Sequence, residues 1–256
     1  MNAPERTGTS LPNYLLRLGD SALIIAQQLC GWCGHAPTIE EDVALSNIAL
    51  DLLGQSRLWL EYAGANMAPA QDEDDLAYRR DAHQFRNVLL VEQPNGNFAD
   101  TQVRQFLFDS WHCLLLTELS RSTDTQIAAI ATKARKEAAY HLQHSSQWIV
   151  RLGDGSARSH RYAQRALELC ADYVGELFEM DAIDLEMVNA GIGADMAALQ
   201  PQWQAYVEQV LAAANLVYPA NPINRRGGKL GQHSELLVEV LMQMQHLARS
   251  YPGAQW

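Results

Sequence analysis

No apolar run in this chain approaches the ~20 residues that a membrane-spanning helix needs, so no bilayer-crossing segment is expected. Strand-type alternation of useful length is missing, as are low-complexity tracts and any clean repeat. Positive charge is scarce: 19 basic residues stand against 30 acidic ones, a net charge of -11. Nucleic-acid binding relies on Lys and Arg to neutralise phosphates, so this balance disfavours it. Cysteine is sparse too, with four in all. Cys30 and Cys33 form a C-x-x-C, but no βαβ setting for a thioredoxin-like motif surrounds it. Cys113 and Cys170 offer no second close pair for structural zinc, which leaves reduced thiols at a helix end as the reading. The polar start, residues 1–12, lacks an apolar signal core and reads as a flexible tail of a cytoplasmic protein.

What the sequence does contain is helical rhythm. Leu11, Leu15, Leu18, Ala22, Ile25, Leu29 and Trp32 alternate steps of four and three, the seam of a packed helix. Gly31 and Gly34 end it, and Thr38-Ile-Glu-Glu41 reads as a capping box for the next helix. That second helix is apolar on most sides from Val43 to Leu53, which predicts a central position. The acids of Asp72–Asp75 predict a helix start and a run to about Leu90, closed by the turn Gln93-Pro-Asn-Gly-Asn97. Further helices are expected over 99–121, 124–151, up to about Met180, over 197–216 and over 234–249. The long ones, 13–32, 38–63, 99–121 and 124–151, form two antiparallel pairs separated by the 72–90 segment. An all-α, ferritin-like bundle with additional helices is therefore expected, residues 13–256 forming one domain, with a generic helical bundle as the alternative.

A ferritin-like di-iron site needs a carboxylate from each of two helices and a Glu-x-x-His from each of the other two. No Glu-x-x-His occurs anywhere in the sequence; Asp109-Ser-Trp-His112 comes nearest. Asp51-Leu-Leu-Gly-Gln-Ser56 and Lys136-Glu-Ala-Ala-Tyr-His141 read as such motifs with ligands erased.

Several blocks, in order along nearly the whole chain, carry a specific resemblance. They are Leu16-Arg-Leu-Gly-Asp20, Trp32-Cys-Gly-His-Ala-Pro37, Asp51-Leu-Leu-Gly-Gln55 and Leu89-Leu-Val-Glu-Gln-Pro-Asn-Gly-Asn-Phe98, then Gly227-Gly-Lys-Leu-Gly-Gln-His233 and Pro252-Gly-Ala-Gln-Trp256. Through them the chain resembles the structural (C) subunits of ring-1,2-phenylacetyl-CoA epoxidases. The resemblance implies a non-catalytic role in a multicomponent monooxygenase of aerobic phenylacetate degradation, beside a catalytic di-iron subunit of the same fold and small and reductase components. No cofactor or metal is expected in this chain itself. Laid against the iron-bearing sister, the ligand stations fall on Ala22, Leu52, Gln55, Asp109, Ala138 and His141. Asp109 and His141 are expected to satisfy each other as a buried pair; a residual single-metal site with His112 and Glu137 is the alternative.

The same resemblance points to CoA-thioester contact at Gln84, Phe85, Arg86 and Asn87, and at Leu185, Glu186 and Met187, with a polar outer helix face as the plain alternative. Arg225, Arg226 and Lys229 make the one dense basic patch, suited to an anion or to a partner's acidic surface. A free-standing ferritin-like metalloprotein and a helical scaffold remain the rival readings of the whole chain.

Overall fold

The structure, a computed structural model, describes residues 10–254. Four long helices dominate: α1 (Ser10–Cys30), α2 (Ile39–Ala65), α4 (Phe98–Leu119) and α5 (Thr125–Gly153). α1 packs along α2, α4 along α5, and α2 also meets α5. This is the ferritin-like bundle, and no strand occurs among the described residues. α1 begins before the expected tail ends: Ser10, Leu11 and Pro12 are helical and buried. The rest of that tail, residues 1–9, lies outside the described residues.

Two expectations about the bundle are corrected. α4, not α2, is the central helix, for every residue from Thr101 to His112 is buried. α2 turns part of its apolar surface outward, leaving Ile39 81%, Val43 55% and Leu50 65% exposed. The expected helix over 72–90 is also absent as such. Only α3 (Glu73–Tyr78), capped by Asp72, is helical there, followed by 3₁₀ turns at Ala82–Gln84 and Leu89–Glu92. The chain unwinds because buried acceptors on other elements claim its backbone donors. Arg86 N donates to Asp20 Oδ2 at 2.8 Å, Val88 N to Ser21 Oγ at 3.3 Å and Leu89 N to Glu176 Oε2 at 2.7 Å. These bonds replace the i−4 carbonyls a helix would have used.

The C-terminal part wraps the bundle with α6 (Ala157–Ala171), α7 (Gly175–Phe178), α8 (Ala182–Asn189), α9 (Met196–Ala213) and α10 (Glu235–Ser250). The helix expected to reach Met180 is thus broken after Ala171. α8 is an additional element, opened by a capping box between Asp181 and Asp184. The Thr38 cap of α2 is made, but its Glu41 is engaged elsewhere: the carboxylate accepts from Trp148 Nε1 at 2.8 Å and pairs with His144 Nε2 at 2.9 Å. No helix among the described residues is long and apolar enough to cross a membrane.

Candidate functional site

The six residues taken as stations all lie on the four long helices. Ala22 on α1, Leu52 and Gln55 on α2, Asp109 on α4, and Ala138 and His141 on α5 are each 0–2% exposed. Their chemistry does not fit two irons. Ala22, Leu52 and Ala138 have no side-chain lone pair, and Gln55 is neutral. Four carboxylates would normally neutralise such a pair of cations in a dry core.

The polar side chains left there are engaged otherwise. Asp109 accepts from Gln105 Nε2 at 2.7 Å and from Ser145 Oγ at 2.8 Å. His141 Nε2 lies 3.2 Å from Asp51 Oδ2, and Gln55 Nε2 donates to Glu137 Oε2 at 2.9 Å. The expected Asp109–His141 pair is therefore not made. Ser145, one turn beyond His141 on α5, is the group that meets Asp109, while His141 turns to α2. Glu137 is drawn to Gln55, and among the described residues no three His, Cys, Asp or Glu converge to hold a metal ion. Sequence reasoning does not single out Asp51, Gln105 or Ser145 as members of this cluster. The i,i+4 spacing of Gln105 to Asp109 is legible, but Ser145 and Asp51 come from other helices.

Burial controls the electrostatics here. It raises the Asp109 pKa to about 7, against the lowering effect of the Ser145 and Gln105 hydrogen bonds. It lowers His112 to about 3, helped by nearby His141, and lowers His141 against the opposing pull of Asp51. Because the folded pKa of Asp109 is raised, the folded state holds the proton more tightly than the unfolded chain. Its contribution is neutral below about pH 4 and becomes a growing penalty up to about pH 7. Asp109→Asn should thus stabilise the protein at pH 8, by on the order of 2–4 kcal/mol, and change little at pH 4. Urea midpoints at the two pH values measure this; an equal effect at both would contradict it.

The segment 84–87 proves to be mainly a piece of internal architecture. Phe85 is fully buried beneath the Arg80 guanidinium, 4.2 Å from the ring centre. Asn87 is fully buried and donates to Glu92 Oε1 at 2.9 Å. Gln84 caps the backbone N–H of Asp81, and Arg86 donates to the carbonyls of His83 and Phe85. The aromatic face and the Asn87 amide are closed to a ligand; Gln84 and Arg86 reach the surface. On α8, Leu185 is exposed, Met187 is buried and Glu186 accepts from Ser10 Oγ at 2.7 Å.

The basic patch is likewise neutralised at home. Lys229 Nζ lies 3.3 Å from Asp184 Oδ2 and donates to the Glu179 carbonyl at 2.6 Å. Arg226 pairs with Glu179 at 2.8 Å, and Arg225 lies 3.9 Å from Asp172 and over the Tyr173 ring. As a free anion site the patch is thereby weakened, although Arg225 and Arg226 remain more than half exposed in their side chains, at 52% and 67%.

An all-α, ferritin-like helical bundle is the class that the fold defines. The chain belongs to the phenylacetic acid catabolic protein family, which it matches over residues 1–256. It is 49% identical over 246 residues to the C subunit of 1,2-phenylacetyl-CoA epoxidase from Escherichia coli (strain K12), a match covering 96% of this chain and 99% of that protein.

Proposed function

We propose that this chain is the structural subunit of a cytoplasmic phenylacetyl-CoA epoxidase, serving phenylacetate catabolism without redox chemistry of its own. It stabilises a catalytic di-iron subunit of like fold, in a complex completed by small and reductase components. One observation carries the reading: of six ligand stations, only Asp109 and His141 keep metal-capable side chains, and these bind Gln105, Ser145 and Asp51 instead of converging. The 49% identity to a relative named as the C subunit of such an epoxidase supports the same assignment. Purified alone and loaded anaerobically with Fe(II), the chain should retain no stoichiometric iron after desalting and should oxidise nothing. Two irons per chain would refute the proposal and favour a free-standing metalloprotein.

The outward stripe of α2 supports a site for the sister subunit. Ile39, Val43 and Leu50 recur at helical steps, Tyr140 of α5 stands 52% exposed, and a Cβ at Gly54 would meet nothing within 4 Å. A long apolar stripe with an open glycine suits close packing of a second helix pair, and a sister of like fold presents one pseudo-symmetrically. An obligate interface of this kind buries over ~2,000 Å². Leu50→Asp with Val43→Asp should leave the lone chain folded and abolish co-elution with the catalytic subunit at micromolar concentration. Co-elution unchanged from wild type would remove this face from the interface. Contact with the CoA thioester falls to the surface-reaching Gln84, Arg86 and Leu185, since Phe85, Asn87 and Met187 are buried.

A further inference from the structure

The interior between α2, α4 and α5 contains more hydrogen-bonding capacity than the protein itself satisfies. Seven buried side-chain atoms have no protein partner: both amide atoms of Gln102, Gln105 Oε1, His112 Nδ1, His141 Nδ1, Gln55 Oε1 and Ser56 Oγ. All six residues are at most 4% exposed. Four polar side chains of α4, Gln102, Gln105, Asp109 and His112, recur at steps of three, four and three, which aligns them on one face. That face is tied to α5 by the Ser145–Asp109 hydrogen bond. The α2 side adds Gln55 and its neighbour Ser56, and the seam reaches the surface at Asp51, whose side chain is 41% exposed.

Magnitude decides what this means. One buried polar group without a partner costs about 1–3 kcal/mol, so seven would consume about the whole ~5–15 kcal/mol stability of a typical domain. The apolar walls offer nothing to bind these atoms. A buried water needs two to four polar partners, and this seam supplies donors and acceptors one helical turn apart. We propose that the seam between α2, α4 and α5 binds a file of internal waters, running from Gln102 past Asp109 and the two histidines to the surface at Asp51 and Glu137. Of the six stations, Gln55, Asp109 and His141 lie along this file, while Ala22, Leu52 and Ala138 offer it no polar atom.

Two measurements on the full chain test this. Diffraction from the wild-type protein at a resolution that shows ordered solvent should place waters within hydrogen-bonding distance of the Gln102 amide and of Nδ1 of His112 and His141. Magnetic relaxation dispersion of water nuclei should count long-lived internal waters in solution, and Gln102→Leu with Gln105→Met should reduce that count. A dry seam, with these atoms bonded to one another in altered rotamers, would overturn the proposal, as would an unchanged count in the folded double variant. Should the variant fail to fold, the wild-type solvent structure decides alone.

Discussion

Asp20→Leu should lower stability by about 3–5 kcal/mol, although Asp20 is not one of the relic metal stations. Asp20 is fully buried on α1, and both carboxylate oxygens are committed. Oδ1 accepts from Arg80 at 2.5 Å; Oδ2 accepts from Arg80 at 3.0 Å and from Arg86 N at 2.8 Å. Arg80 is itself buried, donating further to the carbonyls of Leu76 and Gln84. Removing the acid strands a guanidinium in a medium that cannot solvate it, and the loss of the Arg86 N partner adds to the damage. Arg80→Met alone should cost nearly as much, because it strands the carboxylate. Asp20→Leu with Arg80→Met should recover most of the loss but not all, since Arg86 N stays unpaired. A double-mutant cycle on urea midpoints reads the coupling directly. Strict additivity of the two single changes would show that the pair contributes nothing as a pair.

Glu92→Gln is expected to be as damaging, by about 3–5 kcal/mol, for a reason that isosteric substitution exposes. The fully buried Glu92 carboxylate faces donors on both oxygens. Asn87 Nδ2 donates to Oε1 at 2.9 Å, where His233 Nδ1 also sits at 2.5 Å, while Ser234 donates its N–H and hydroxyl to Oε2 at 3.0 and 2.7 Å. An amide can accept on one side only, so its NH₂ must point at donors whichever way it turns. Burial works to lower the His233 pKa, but hydrogen bonding to Glu92 and to the Phe85 carbonyl outweighs it and leaves the pKa raised. The stabilisation from protonated His233 is therefore fully present below about pH 6.5 and fades as pH rises through the raised folded value. Glu92→Gln should accordingly cost more at pH 6 than at pH 9. The loss should appear first as faster amide exchange in α10, which follows Ser234 directly and buries only Leu237, Leu241 and Gln245. Equal costs at both pH values would mean that His233 carries no charge in the fold.

These two clusters also join several of the sequence blocks that carry the resemblance. Leu16–Asp20 meets the 80–86 segment through Asp20, Leu89–Phe98 meets Gly227–His233 through Glu92, and Glu176 accepts from Gly227 N and Leu89 N. Three of the six blocks that carry the resemblance thus belong to a polar clamp. It holds an irregular loop and the C-terminal segment on the bundle.

The sequence by itself determined the four long helices and their pairing, because seams such as Leu15, Ala22, Ile25 and Leu29 require a helical partner wherever the chain goes. It also shows that no Glu-x-x-His occurs, whatever the fold. Tertiary structure alone decided where the remaining polar groups turn. Asp109 bonds Ser145 rather than His141, and His141 bonds Asp51, because a helix rotation of a few tens of degrees selects among neighbours that no local pattern ranks. It alone decided that α4 is central and α2 partly exposed, although α2 reads as the more apolar, for burial depends on what other elements cover. And it alone unwound residues 79–92, where Asp20, Ser21 and Glu176 capture backbone donors that helical propensity had assigned to the chain's own carbonyls.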